Sequence, residues 1–438
     1  MAAVEVTNTP RVYNVDSFAI ILVTACDIHG VPKGRFVFRQ SVPGVVKNGL
    51  GMTQASLFGG ILCDIPTSLT DYSASGWSNG TVVPDIATLK PLSWLSYGGQ
   101  KVGHMLCDLL DQLGEREAAS SREVALRQIR ALKSHSYNIV TSYDLEFTIF
   151  HKGTLNPVDL HDDISKLVIA LTISLSESGL PVVSVGRGTE TGKLQISLES
   201  QIGIAGSDNI HQLYSALKSL CVKEGYDITL MTSPLDGVSG NKSSYCMTLT
   251  TEDGRNVLSD ASSEGNLSAV ARHWIAGLLH HNASVTAIAR PTLNCYKSNI
   301  FQNSWTTEEQ DRTCRLQVQV SDSSVSITDR LPSSASNSYT VLGALIAAGI
   351  DGIVNKLELP DKTSETLQHQ SKKPASLSDA LQSLEDDKVL QNMIGPKFVH
   401  RFLILKREFE VQRFENKKAE SGSKGMLEFE RSLYLTSL

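Results

Sequence analysis

Apolar and polar positions follow two rhythms along this chain, and the changes of rhythm mark its elements. Residues 18–25, Phe-Ala-Ile-Ile-Leu-Val-Thr-Ala, are apolar and β-rich. Asp27-Ile-His-Gly30 carries turn chemistry, and Arg35-Phe-Val-Phe38 resumes an extended pattern. The pattern then lapses: residues 44–80 are rich in Gly and Ser and read as a long loop holding one short strand at Ile61-Leu-Cys-Asp64. Extended stretches at 82–89, 91–94 and 101–108 follow, which predicts a domain boundary near residue 110.

From residue 119 the period becomes helical. Ser120 or Ser121 can cap a helix over 119–138 lined by Val124, Leu126, Ile129 and Leu132. A strand at 138–150, a helix at 164–180, strands at 182–185 and 194–198, a helix at 208–224, and strands at 226–231 and 244–249 come next. His273 opens an amphipathic helix with Trp274, Leu278 and Leu279 on one side, ending near Asn282. A loop carries Pro291 to Lys297, and Pro291 disfavours helix at Arg290. The plain reading is a core helix with His280 and His281 at the surface. A hairpin spans 315–320 and 325–330, and Gly343, Ala344, Ala347 and Ala348 suit close packing of a buried helix at 339–356. After a polar loop at 361–373, terminal helices read at 377–384 and 398–413, the last so charged that a solvated or subunit-facing surface is expected. Together these predict an α+β fold with a curved, mainly antiparallel sheet.

Composition narrows the picture. A chain of 438 residues exceeds one ordinary core, so two domains are expected. With 41% hydrophobic and 20% charged residues it has the make-up of a soluble globular protein. A net charge of -6 without a basic stripe argues against nucleic acid. Seven scattered cysteines without CxxC spacing read as reduced thiols. The absence of a signal-like start and of a long apolar run predicts a cytoplasmic protein off the membrane.

Motifs add identity. Asp27-Ile-His-Gly-Val-Pro-Lys-Gly34, Pro291-Thr-Leu-Asn-Cys-Tyr-Lys297 and Arg330-Leu-Pro-Ser-Ser-Ala-Ser-Asn-Ser-Tyr339 stand in the order and spacing of glutamine synthetase motifs. The chain resembles that family over roughly residues 15–415. The resemblance implies an N-terminal β-grasp domain over 1–110, which in the family joins neighbouring subunits, and a catalytic-type domain over 111–438.

Glutamine synthetases phosphorylate a glutamate carboxylate with ATP, and ammonia displaces the phosphate. That chemistry needs hard oxygen ligands for divalent metals and basic side chains around the phosphoryl group. The family's Glu-x-Glu, whose i, i+2 spacing puts both carboxylates on one strand face, is Asp144-Leu-Glu146 here. Aligning on Gly192 puts Arg187 and Gln195 at two further metal positions, with Lys193 beside them. The family's His-x-His becomes Ser244-Tyr-Cys246, and its Glu-x-Arg becomes Thr328-Asp-Arg330. Ser298 replaces an arginine, Arg312 matches one, and Gln317 replaces another. Arg315 is out of phase, Asp329 is expected on the opposite strand face, and Glu190 lies at a different offset.

The resemblance thus implies vestigial metal positions at Asp144 and Glu146, eroded metal or ATP positions at Arg187, Gln195, Ser244, Cys246 and Thr328, and vestigial phosphate or substrate positions at Arg312 and Arg330. The pattern is similar to an inactive, lens-type branch of the family. That branch implies no catalytic residues and no cofactor, where active members use Mg or Mn with ATP. It also implies a structural role in the eye lens, a double-ring homo-oligomer such as a dodecamer, and cytoskeletal partners. Two alternatives stay open. One is an ATP-dependent ligase joining glutamate to ammonia or another amine, with Arg187 and Lys193 binding an anion. The other is a ligand sensor that keeps a pocket at Arg312 and Arg330.

Overall fold

The computed structural model describes residues 13–66, 68–69, 79–188, 190–298, 301–321, 324–360, 374–422 and 425–437. Five strands form a first sheet: β1 (Ile20–Cys26), β2 (Pro32–Phe38), β3 (Leu50–Thr53), β4 (Asn79–Tyr97) and β5 (Gln100–Leu110). Their order is β2-β1-β5-β4-β3, with β1 and β5 parallel and the other neighbours antiparallel. The Gly/Ser-rich stretch is more ordered than its composition suggests. It carries α1 (Val42–Asn48), β3 and α2 (Gln54–Leu57). The strand expected at Ile61–Asp64 is a turn instead, because Cys63 takes a left-handed φ of 64° that breaks an extended run. Part of that stretch, 70–78, lies outside the described residues.

The second sheet contains β6 (Asn138–His151), β7 (Val182–Arg187), β8 (Lys193–Ile202), β9 (Tyr226–Thr229), β10 (Ser243–Thr250), β11 (Gln302–Thr306), β12 (Cys314–Val320) and β13 (Val325–Asp329). The order is β11-β12-β13-β10-β6-β8-β7, with β9 on the far end of β6 and only the β11–β12 pair parallel. Along β6, Tyr143, Leu145 and Phe147 are buried while Ser142, Asp144 and Glu146 are half-buried, so the strand divides a packed face from a cleft face. Helices α3 (Ser121–Ser134), α4 (Ser165–Glu177), α5 (Ala205–Lys223), α6 (Ala269–His280), α7 (Asn282–Ala289) and α8 (Ser338–Val354) complete the core. The α+β class is as expected.

Helix α8 is buried from Ser338 to Gly352. A Cβ on Gly277 of α6 would strike the Ala348 carbonyl, and one on Gly352 would strike the His273 carbonyl, so these glycines let two backbones touch. Several terminal features depart from expectation. Strand β11, α10 (Lys388–Ile394) and α13 (Met426–Tyr434) have no counterpart in the sequence pattern. The expected helix at 377–384 is α9 (Leu377–Asp386). The one at 398–413 comprises α11 (Pro396–Lys406), a π-turn at Arg407–Val411 and the start of α12 (Gln412–Ser421). Its charges are not all solvated: Lys406 and Glu410 are buried, 2.5 Å apart, and Tyr434 also bonds Glu410. The polar loop expected at 361–373 lies outside the described residues.

Two polar clusters join the parts. Arg122 of α3 donates to Asp108 (2.6 Å) on β5, Asp85 (2.9 Å) on β4 and Asp208 (3.0 Å) on α5, while Tyr339 of α8 donates to Asp208 (2.8 Å). Asn337 caps α8 and donates to the Asp27 carbonyl (3.2 Å), the Ile28 carbonyl (3.4 Å) and Ser121 (2.9 Å), clamping the β1–β2 turn onto the second sheet's helices.

The chain does not turn into a loop after α6; it kinks at His281 and continues as α7. His281 is 2% exposed, contrary to the surface reading, with Nδ1 2.6 Å from Asp387 and Nε2 3.1 Å from Asp351. Burial opposes the imidazolium, but the two carboxylates outweigh it and raise the pKa above the ordinary 6.5. Although burial works against it, Asp387 is held below 3.8 by His281 and the Leu390 amide. A raised histidine stabilises fully below its unfolded pKa and loses that contribution as pH rises through the folded value. A depressed aspartate stabilises above its unfolded pKa and loses it as pH falls. Unfolding free energy should therefore decline above pH 6.5, and again below about pH 4, relative to His281→Gln. Urea denaturation from about pH 2 to 9 checks this; parallel curves for both proteins would refute it.

Candidate functional site

Register decides which side chains meet on the cleft face. Asp144 on β6 lies opposite Ser197 of β8 on one side and Ser244 of β10 on the other. Glu146 lies opposite Gln195. Farther along, Cys246 faces Thr328 of β13, and Thr328 faces Gln317 of β12. Arg330, two residues beyond Thr328, completes the row. One face therefore gathers Asp144, Glu146, Gln195, Ser244, Cys246, Thr328 and Arg330; of these, the i, i+2 spacing in the sequence expects Asp144 with Glu146.

Arg187 does not join them. The β7–β8 register pairs it with Leu194, whose side chain is buried on the packed face. Its guanidinium donates to the carbonyls of Asp159 (3.0 Å) and Asp162. A cation that does reach the carboxylates of the cleft is Lys193. Its side chain is 2% exposed, and Nζ lies 3.1 Å from Glu146 and 3.1 Å from Glu190. The same nitrogen is 3.1 Å from the Ser239 hydroxyl and 3.0 Å from the Gly240 carbonyl. Glu190 reaches the cluster despite its offset. Chiefly the Ser239 hydroxyl (2.6 Å), and then Lys193, hold its carboxyl below the ordinary 4.5.

The other groups are similarly engaged. Asp144 accepts hydroxyls from Ser197 (2.6 Å) and Ser244 (3.4 Å), one on each oxygen. Glu146 also accepts the Lys242 amide at 3.2 Å. Arg330 is 9% exposed and bound to the carbonyls of Asp311 (2.9 Å) and Cys314 (3.3 Å) and to the Gln317 side chain. Burial first, and then neighbouring Arg312, lower its pKa. Arg312 itself is exposed. Ser298, where the family motif has arginine, takes a hydrogen bond from Arg290 (2.5 Å) and packs against Gly240. Arg315 and Asp329 are buried on the packed face as a pair (2.5 Å), with Arg315 also on the Leu278 carbonyl and Asn282. Asp329 lies on the face opposite Thr328, as strand alternation expects, whereas Arg315 is on the packed face although it stands two residues from Gln317.

A family model described as "Glutamine synthetase, catalytic domain" matches residues 118–422. The chain belongs to the glutamine synthetase family. Human lengsin is 25% identical over 430 residues, covering 89% of this chain and 80% of lengsin. The glutamate–methylamine ligase of Methyloversatilis universalis is 26% identical over 420 residues, covering 88% of this chain and 91% of the ligase. Among solved structures, a GmaS–ADP complex superposes with a TM-score of 0.80 at 18% identity, covering 95% of this chain and 98% of the other.

Metals in the family's manner do not fit the residues this member presents. Both Asp144 oxygens accept hydroxyl protons, and Glu146 and Glu190 share a buried ammonium. Among the described residues no three His, Cys, Asp or Glu side chains are grouped as ligands for a metal ion. The cluster is closely packed on its inner side, while Glu190 and Ser239 face outward. A Cβ on Gly188 would lie 2.7 Å from the Lys193 Cβ and 3.3 Å from a Glu146 oxygen. Gly188→Ala should lower unfolding free energy by about 1–3 kcal/mol through this overpacking. Urea denaturation giving an unchanged midpoint would show that the turn has room to spare.

Proposed function

We propose that this protein is a non-catalytic, lengsin-like member of the glutamine synthetase family that serves as a homo-oligomeric structural component of the cytoplasm. The observation that carries the reading is the state of the cleft carboxylates. Glu146 and Asp144, the acidic pair retained from the metal signature, are spent on Lys193 and on two serines. Phosphoryl transfer from ATP to a carboxylate brings several negative charges together and needs metal and basic groups aimed at them. Here Arg330 is committed to carbonyls and Gln317, and Arg187 is turned away. We take residues 1–110 as a β-grasp domain and 111–438 as the catalytic-type domain, with the lens and cytoskeletal associations of the inactive branch as the role implied by resemblance. None of the helices among the described residues is long and apolar enough to cross a membrane.

Similarity to a glutamate–methylamine ligase favours a second reading, transfer of a γ-glutamyl group to an amine. Calorimetry of Mg·ATP binding, with and without glutamate, separates the two. No heat at millimolar nucleotide is expected. Metal-dependent binding would overturn the non-catalytic reading, and product formation in a transfer assay with ammonia and methylamine would establish the second.

The outer strand of the first sheet supports assembly. Phe36 and Phe38 of β2, at i, i+2 on one face, are 59% and 66% exposed. An edge strand with large exposed aromatics suits a neighbouring subunit. Phe36→Ser with Phe38→Ser should reduce the mass measured by light scattering to smaller species with the fold retained. An unaltered ring would exclude this edge from the interface.

A further inference from the structure

We propose that Lys193 acts as a tethered cation whose ammonium takes over the structural work of a bound ion, so that removing it leaves an anionic cage receptive to short alkylammonium ions, which restore both its stem and its charge. The cage comes from three separate parts of the chain. Glu146 is on β6, Glu190 is in the β7–β8 turn, and Ser239 and Gly240 lie in the loop before β10. All four oxygens lie 3.0–3.1 Å from Nζ. An ammonium has three protons, so four acceptors at one distance exceed its hydrogen-bonding capacity. The surplus contact is ion-like: oxygens gathered about a point charge. Carboxylates, a hydroxyl and a carbonyl are also the donors that hard cations select.

The lysine does more than occupy space. Without its charge, Glu146 and Glu190 would converge on one centre without the cation that now lies 3.1 Å from each, and like charges disfavour ionisation of both. Gly188 seals one side, since any side chain there would enter the cage. Ser298 packs behind Gly240, the carbonyl that faces Nζ. The inner side of the cage is therefore shaped around a cation that arrives on a four-carbon stem.

The inference concerns the same cleft as the proposed function but does not rest on the absence of catalysis. Its test reads stability rather than activity, so the two fail separately. Lys193→Ala should melt several degrees lower than the parent protein. Ethylammonium or propylammonium chloride at tens of millimolar should restore most of that loss. Equal sodium chloride or propan-1-ol should not, and Lys193→Met, which refills the volume without charge, should show no rescue. Should Lys193→Ala fail to fold, a double-mutant cycle decides the matter. Lys193→Met should cost distinctly less in a Glu146→Gln/Glu190→Gln background than in the parent protein. Rescue no greater than with sodium chloride, or additive effects in the cycle, would overturn the proposal.

Discussion

One guanidinium ties the first sheet to the helices of the second. Arg122, 5% exposed, meets carboxylates from β4, β5 and α5, and through Asp208 it reaches Tyr339 at the head of α8. Each carboxylate alone would be costly to enclose, and the planar fork of arginine can address several at fixed angles. Those carboxylates, with burial opposing them, hold Arg122 firmly protonated. The position of α8 fixes Asn337, and Asn337 in turn fixes the β1–β2 turn. The packed face of the second sheet follows, because α8 lies against α6 and α3.

This arrangement explains which motif residues stay family-like. Asn337 clamps a turn, and Tyr339 bonds Asp208. Asn294 holds Ser233 through its amide (2.5 Å) and carbonyl (3.0 Å) and also donates to Glu430, which pairs with Lys297 at 2.9 Å. These residues hold backbone in place. The altered positions, among them Gln195, Ser244, Cys246, Ser298 and Thr328, line the cleft. The physical demands of folding and of phosphoryl transfer fall on different residues, so one set can change without the other.

Much of this was legible in sequence where a single period governs the outcome. Strand alternation places Asp144 with Glu146 and sends Asp329 to the packed face, and the structure agrees. The reading fails where a turn or a distant partner decides. Arg187 sits one register step from the cleft row, and one step reverses a side chain. Glu190 enters the cluster because the turn after β7 folds it back, which a fixed offset cannot express. His281 looks like a surface residue because its partners lie 70 and 106 positions away. The terminal charges mislead for another reason: Lys406 and Glu410 neutralise each other one turn apart, and α13, which the sequence pattern does not announce, covers them.

An ion taken from solution occupies its site only as far as its concentration allows, and nucleotides compete for it. Lys193 is delivered by the peptide chain itself, so its ammonium is present in every folded molecule at every metal level. What is surrendered is exchange: a cation that cannot leave cannot report on, or respond to, the supply of metal and nucleotide. On the proposed reading, the cleft of this protein keeps its cation in place whatever the supply of magnesium and ATP.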